Sequence, residues 1–340
     1  MWKKVLISCA IALVVLFIAL VLVPGIVGGN AKKATKESAF GKNVVDFYRT
    51  IGNKVKAVGF KRRIEKEGVK NTLNSNAIHM LKSVTDTIGN SFIITTSDGK
   101  VIVIDGGYRS ETPYFLEYLK AATGQERPHI DGWFLSHPHD DHCEAFLEVM
   151  EYYSDEIELD KVYLNFAPTD FYNDTDPSAD TVLREYERLR PLYKDKEQVL
   201  RDADVFFIGA AKFVVLYTFD PEFSDCNNSS LVFRMDLGGK SVMFTGDCGV
   251  EAGEKVLRNW QSSGLLKCDV CQMSHHGQNG CDKSFYEAVD PDICLWPTPS
   301  WVWDNRNGNL KTLEVRAWIE ELGVKENYVS KDGSYIIYLQ

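Results

Sequence analysis

From residue 78 onward, short apolar runs alternate with stretches whose apolar residues recur at helical spacing. The segments 91–96 and 100–105 are rich in β-branched and aromatic residues, and Ser97-Asp98-Gly99 between them is a hairpin-turn signal. Residues 110–122 place Phe115, Tyr118 and Leu119 on one helical face; residues 141–153 do the same with Phe146, Val149 and Met150. Further strands are predicted at 161–165, 205–208, 213–218, 230–235 and 241–245, a helix over 312–321, and a closing strand over 334–339. Strands alternating with helices in both halves predict a layered α/β sandwich. There is no short internal repeat and no low-complexity tract.

The N-terminus follows a different pattern. Residues 5–23 are uncharged and only Ser8 is polar, a run long enough to span a bilayer's hydrocarbon core of about 20 residues. No small-x-small cleavage site follows it, so residues 1–29 are expected to form an uncleaved N-terminal transmembrane helix, a signal-anchor. Charge then divides the chain. Residues 1–70 carry 14 of the 38 Lys and Arg but 4 of the 48 Asp and Glu, leaving 24 against 44 for residues 71–340. The basic stretch 30–72 reads as a juxtamembrane stalk, and 73–340 as the main domain. A domain with a net charge of −20 repels polyanions at long range and has no Lys/Arg cluster to overcome that repulsion, which makes nucleic acid an unfavoured partner. Lys3 and Lys4 place the N-terminus inside and the domain outside the cell membrane. Seven cysteines lie beyond the anchor, an odd number that cannot all pair internally and that suits a reducing environment. Cys268 and Cys271 fall in a predicted strand and read as buried apolar residues.

The chemistry is concentrated in His137-Pro138-His139-Asp140-Asp141-His142, which fits His-x-His-x-Asp-His. Period-two alternation in an extended segment puts His137 and His139 on one side, and Asp141 and His142 fall on the next turn. Imidazole nitrogen with carboxylate oxygen is the donor set preferred by zinc and neighbouring divalent metals. Two later strand ends add to it: Thr245-Gly246-Asp247 after an apolar run, and Ser274-His275-His276-Gly277 after residues 270–273. The run 101–104 also ends in Asp105-Gly106.

In this order the motifs resemble the metallo-β-lactamase superfamily, over about residues 78–340. The resemblance implies a four-layer αββα sandwich with metal ligands on loops at one edge of its two sheets. It implies that His137 and His139 bind a first metal, Asp141 and His142 a second, and that Asp247 bridges them. One of His275 and His276 completes the second position, and the other meets the substrate or moves a proton. Asp105 is expected behind the ligands, orienting a histidine through its ring N–H. Many relatives supply another first-metal histidine just before the strand leading to Gly-Asp. Here that segment reads Cys226-Asn227-Asn228-Ser229-Ser230-Leu231-Val232, without histidine, leaving Asn227 or Asn228 as a weak oxygen ligand or the holder of a water. Asn-Asn-x-Ser-Leu-Val with His-His-Gly is similar to the branch of the competence-protein ComEC metallohydrolase domain. That branch also carries Gly-x-Gly-Asp, where this chain has Ile88-Gly89-Asn90-Ser91.

The implied activity is a membrane-anchored binuclear hydrolase that cleaves an ester or phosphodiester through a hydroxide shared by two divalent ions, with zinc as the expected metal and manganese as the alternative. Asp141, His276 and Asp105 are its expected catalytic side chains. The substrate is expected to be a small molecule or envelope-linked. Trp301 and Trp303, in the loop 296–304, are candidates to receive a cationic headgroup. The segment 165–180, with Phe171 and Tyr172, is a candidate second wall. Two other classes remain open: a ComEC-like nuclease, and a metal-bearing binding module without catalysis. The oligomeric state is open.

Overall fold

The central strands are apolar along their whole length because each is covered on both faces. In Val101–Asp105, Ile102 and Ile104 face the space between two sheets, while Val101 and Val103 face helices outside. Such a strand reads as a continuous apolar run, not as an alternation. The computed structural model describes residues 58–340. The expected anchor at 1–29 and most of the stalk lie outside the described residues. Among the described residues, no helix is long and apolar enough to cross a membrane.

Two seven-stranded sheets form. The first runs, in spatial order, Tyr335–Tyr338, Ala77–Met80, Ser91–Thr95, Val101–Asp105, Gly132–Phe134, Val162–Leu164 and Glu197–Val199. The second runs Glu326–Val329, Ile293–Trp296, Val270–Gln272, Lys240–Phe244, Val232–Leu237, Ala211–Tyr217 and Val205–Ile208. The core between them is partly an aromatic stack, in which Phe134 lies 4.7 Å from Tyr163 and 4.9 Å from both Phe213 and Phe233, centroid to centroid. Helices Thr112–Thr123, Asp140–Tyr152 and Pro177–Leu189 cover the first sheet's outer face. Val250–Trp260, Lys283–Val289 and Thr312–Glu321 cover that of the second. This is the αββα order that the sequence leads one to expect.

Two elements depart from the sequence reading. The segment 165–180, a candidate wall of the site, runs into a helix that the sequence reading did not include, Pro177–Leu189. Asp176 caps it by accepting from the Ser178 and Ala179 amides, Pro177 occupies its first turn, and Val182, Leu183 and Tyr186 are buried. Residues 60–72, expected in the stalk, belong to the same compact unit as the rest of Phe60–Gln340. Ile64 is buried in the core, and the Tyr114 hydroxyl donates to Glu67 at 3.0 Å.

Strand direction places the functional residues. Val101–Asp105 runs parallel to Gly132–Phe134, and Lys240–Phe244 runs parallel to Val270–Gln272. The C-terminal ends of each pair therefore share an edge, where Asp105 ends its strand and the segments that follow the other strands carry His137–His142, Asp247 and His275–His276.

Candidate metal centre

After Gly132–Phe134 the chain makes a tight turn in which the His139 amide donates to the His137 carbonyl at 3.0 Å across Pro138. This turn, not strand alternation, brings His137 Nε2 to 3.0 Å from His139 Nδ1. His139 flanks the N-terminus of helix Asp140–Tyr152, so Asp141 and His142 lie in its first turn, where the helix dipole favours negative charge.

The Asp247 turn is built from contacts that sequence reasoning did not find. Gly246 has φ 52°, and a Cβ there would come within 3.0 Å of the Cβ atoms of Ser136 and Ser230, so only glycine fits without strain. Buried Gln272 clamps the turn, accepting from the Thr245 and Gly246 amides and donating to the Gly246 carbonyl. The Asp247 amide donates to Ser230 Oγ at 2.9 Å. On the next loop, His275 and His276 both have positive φ, 50° and 55°. Each such residue costs on the order of 1–3 kcal/mol. Surrounding hydrogen bonds hold the pair in place, including Thr298 Oγ1 donating to the His276 carbonyl at 2.6 Å.

Four side chains then converge. His142 Nε2 lies 3.1 Å from Asp247 Oδ1 and 3.3 Å from His276 Nε2. His276 Nε2 is 3.1 Å from Asp141 Oδ2 and 3.2 Å from Asp247 Oδ2. The far side of each ring is committed. His276 Nδ1 is 2.9 Å from the Pro297 carbonyl, which can only accept, so Nδ1 carries the proton and Nε2 of the neutral ring presents a lone pair. His142 Nδ1 is held in the same way by Asp105 Oδ2 at 2.7 Å. Two lone pairs facing each other between two carboxylates repel unless a cation sits among them, and Asp247 Oδ1 is buried without a hydrogen-bond partner. The residues present therefore fit a divalent metal.

Electrostatics say the same. Burial opposes charge on His142, yet Asp247, Asp141 and Asp105 lift its pKa well above the ordinary value. His276, also opposed by burial, is pushed up to about 9 by Asp247 and Asp141. Asp247, against burial, is held well below the usual carboxylate range by His142, His276 and His275. Without metal, the cluster draws in protons to supply the positive charge that it is built around.

The first position is built differently. Donor atoms of His137, His139 and Asp247 lie within 4.8 Å of one another, and burial pushes the His137 pKa well down. His139 Nε2 is 2.6 Å from Asp176 Oδ2, a partner 37 residues away that sequence reasoning missed. The Asp176-Pro177 cap signal before a helix was its only trace. Cys226 joins His139 and Asp176 in a second group with donor atoms within 4.8 Å. Of Asn227 and Asn228, the two candidates for an oxygen ligand, Asn228 is used elsewhere, its amide donating to Glu251 and its oxygen accepting from the Ala252 amide, whereas Asn227 Oδ1 is buried without a hydrogen-bond partner.

The remaining expected residues fall into place around this core. His276 is the member of its pair inside the cluster. His275 Nε2 stands 3.7 Å from Asp247 Oδ2 and its side chain is 19% exposed, at the rim. Asp105 accepts from Asn90 Nδ2 and from the Ser136 amide and hydroxyl, each at 2.8 Å, besides holding His142. Asn90, in the segment where the ComEC branch carries aspartate, thus donates to Asp105. Trp303, expected with Trp301 at the mouth of the site, packs T-shaped against Trp296, and the Arg316 guanidinium lies 4.1 Å from its ring centroid. Cys268 and Cys271 are buried and unpaired, as are the other five cysteines of the described residues.

A family model described as Metallo-beta-lactamase superfamily matches residues 84–280. ComE operon protein 3 of Bacillus subtilis (strain 168) is 34% identical over 100 residues, which is 29% of this chain and 12% of that protein. The match thus spans about an eighth of that relative's length. Among solved structures, the metallo-beta-lactamase fold protein YhfI from Bacillus subtilis aligns with a TM-score of 0.48 at 14% identity, over 77% of this chain and 99% of its own. CmlA, a diiron beta-hydroxylase from Streptomyces venezuelae, aligns with a TM-score of 0.47 at 14% identity, over 78% of this chain and 54% of its own.

Proposed function

The chain belongs to the metallo-beta-lactamase superfamily, and on that premise we propose that it is a binuclear metal-dependent hydrolase acting on an ester or phosphodiester bond. The observation that carries this reading is the convergence of His142 Nε2, His276 Nε2 and the Asp141 and Asp247 carboxylates, with both rings pinned from behind. Two divalent cations, zinc in the first instance, would lower the pKa of water to near neutrality and neutralise charge on substrate oxygens. The chain's own residues do the rest. Asp141, His142 and His276 would hold the second position and His137 and His139 the first, with Asp247 offered to both. Asp105 and the Pro297 carbonyl fix which ring nitrogens face inward. Rim-placed His275 meets the substrate. None of these roles requires a side-chain nucleophile.

The test is elemental analysis of the full-length protein alongside hydrolysis of bis-p-nitrophenyl phosphate, for the wild type and Asp247→Ala. Two metals per chain with turnover that disappears in the variant support the reading. One metal or none, with no turnover after zinc or manganese is added, overturns it in favour of a non-catalytic binding module. The likeness to ComE operon protein 3 supports a second reading, a nuclease, which the domain's acidic charge opposes. Manganese-dependent cleavage of single-stranded DNA that weakens as salt rises distinguishes it. Residues 1–29 anchor the protein in the cell membrane in this proposal, with the domain outside. Protease digestion of the domain on intact cells supports that orientation, and digestion only after lysis contradicts it.

A further inference from the structure

We infer that the metal centre takes a small ester or the terminal bond of a longer molecule and excludes a bond inside an extended chain, because its flanking loops are tied across the two sheets by Asp86 on one side and Thr175 on the other. The inference rests on the hydrolase reading and narrows its substrate class. The candidate ligands follow strands in the middle of each sheet: His137–His142 after Gly132–Phe134, Asp247 after Lys240–Phe244, and His275–His276 after Val270–Gln272. Both sheets continue past these strands on either side. A chain lying along the sheet edge would have to leave between the next loops out, and those loops are joined.

On the His276 side, the loop 83–89 leads into Ser91–Thr95 of the first sheet, and Ser300 follows Ile293–Trp296 of the second. Asp86, with φ 56°, accepts from the Ser300 amide at 2.9 Å and from Ser300 Oγ at 2.5 Å, one bond on each carboxylate oxygen. The loop behind it is not slack. Glu111, 7% exposed, accepts on one oxygen from Ser83 Oγ, the Val84 and Thr85 amides and Thr85 Oγ1, at 2.6 to 3.2 Å. Hydrogen bonds to an ionised acceptor are the strong kind. On the His139 side, the segment after Val162–Leu164 meets the connection between Ala211–Tyr217 and Val232–Leu237. Thr175 Oγ1 donates to the Ser224 carbonyl at 2.8 Å, the Tyr172 hydroxyl donates to Ser229 Oγ at 2.5 Å, and the Phe171 and Phe219 rings meet edge-on, 5.1 Å apart. Between the two ties the ligands are recessed. His137, His142 and His276 are fully buried, and Asp141 and Asp247 are 7% and 2% exposed. A scissile bond must reach down to them, so a stiff chain continuing on both sides of that bond collides with one tie or the other. A small ester, or a terminal bond whose chain leaves toward solvent, meets neither.

The experiment gives the full-length protein, with zinc added, three phosphodiesters: methyl p-nitrophenyl phosphate, the same ester with an oligoproline arm in place of the methyl group, and the ester with an oligoproline arm on both sides. The arms are neutral and stiff, so the three differ in shape and not in charge. Uncleavable phosphonates of the same three shapes, titrated by calorimetry, read binding apart from turnover. The unarmed and one-armed esters should agree within about threefold in kcat/KM, and the two-armed ester should be worse by about 100-fold. The phosphonates should bind in the same order. Cutting both ties, in Asp86→Ala with Thr175→Val, should raise the two-armed ester by about tenfold or more and leave the unarmed one within about twofold, which also shows that the variant is folded. A wild type that handles the two-armed ester as well as the unarmed one, or discrimination that persists without the ties, overturns this inference and leaves the hydrolase reading intact. No turnover of any ester, with zinc or manganese, overturns the hydrolase reading, while the binding order of the phosphonates still decides on the ties.

Discussion

The two candidate metal positions share Asp247 but are assembled in different ways. The second is closed. Asp141, His142, Asp247 and His276 are all buried, and each ring has a dedicated acceptor behind it. The first stands on one tight turn, with His139 partly exposed and its orienting carboxylate doubling as a helix cap. A preorganised site loses little on binding, whereas one whose ligands must still be ordered gives up part of its binding energy to order them. The second position should therefore hold metal more tightly than the first.

Asp247→Ala should have the largest effect, because it removes the group that both positions share. Turnover of bis-p-nitrophenyl phosphate is expected to fall by about 10³-fold or more, the scale of losing a preorganised charge-stabilising group. A loss below tenfold would mean that the positions work independently. Next is Asp105→Ala, which frees the His142 ring and leaves Asn90 and Ser136 without their acceptor. Metal affinity at the second position should drop about 10- to 100-fold in a chelator competition, with the first position little changed. An equal loss at both would erase the distinction.

Asp176→Asn should act on the first position alone and by less, about tenfold in affinity. Asparagine caps a helix about as well as aspartate. With its oxygen on the cap, however, its amide would donate to His139 Nε2 and push the proton to Nδ1, the nitrogen meant for metal. Unchanged affinity, with the melting temperature retained, would remove Asp176 from the account.

The smallest effect concerns stability without metal. His276 is raised from 6.5 to about 9 in the folded protein, so its contribution is fully present below pH 6.5 and is lost as pH rises through 9. Chelator-treated protein should melt at progressively lower temperature between those values, and metal-loaded protein should not. At the first position the two rings oppose each other: His137 is shifted down by burial, whereas His139, against burial, is raised by Asp176 and Asp141 and adds a contribution of the same sign as His276. A melting temperature that is flat or rising over that window in the chelator-treated protein would contradict the cluster's electrostatics.

The sequence carried more of the second position than of the first. His142, Asp141 and Asp247 sit in motifs whose spacing encodes their geometry, because each motif is one turn at one strand end. The choice between His275 and His276 was not legible, since it depends on two consecutive residues with positive φ and on a carbonyl 21 residues away. The polar contacts behind the ligands, from Asn90, Ser136, Ser230 and Gln272, are products of sheet register and leave no local pattern. Asp176 is an intermediate case. Asp-Pro ahead of Ala179, Val182, Leu183 and Tyr186 was a readable helix start, but its pairing with His139 belongs to tertiary packing. Trp303, read as part of an aromatic loop, ends the short helix Ser300–Trp303 and packs against Trp296 and Arg316.

If one chain holds two metals at positions of unequal strength sharing Asp247, the two should leave it separately. The most direct measurement is metal content per chain, by elemental analysis, as zinc-loaded protein is dialysed against rising concentrations of chelator. The account predicts two zinc ions released in two separate steps, and a single weak step in Asp247→Ala. Release of both ions in one step, or a wild type that never holds more than one, would contradict it.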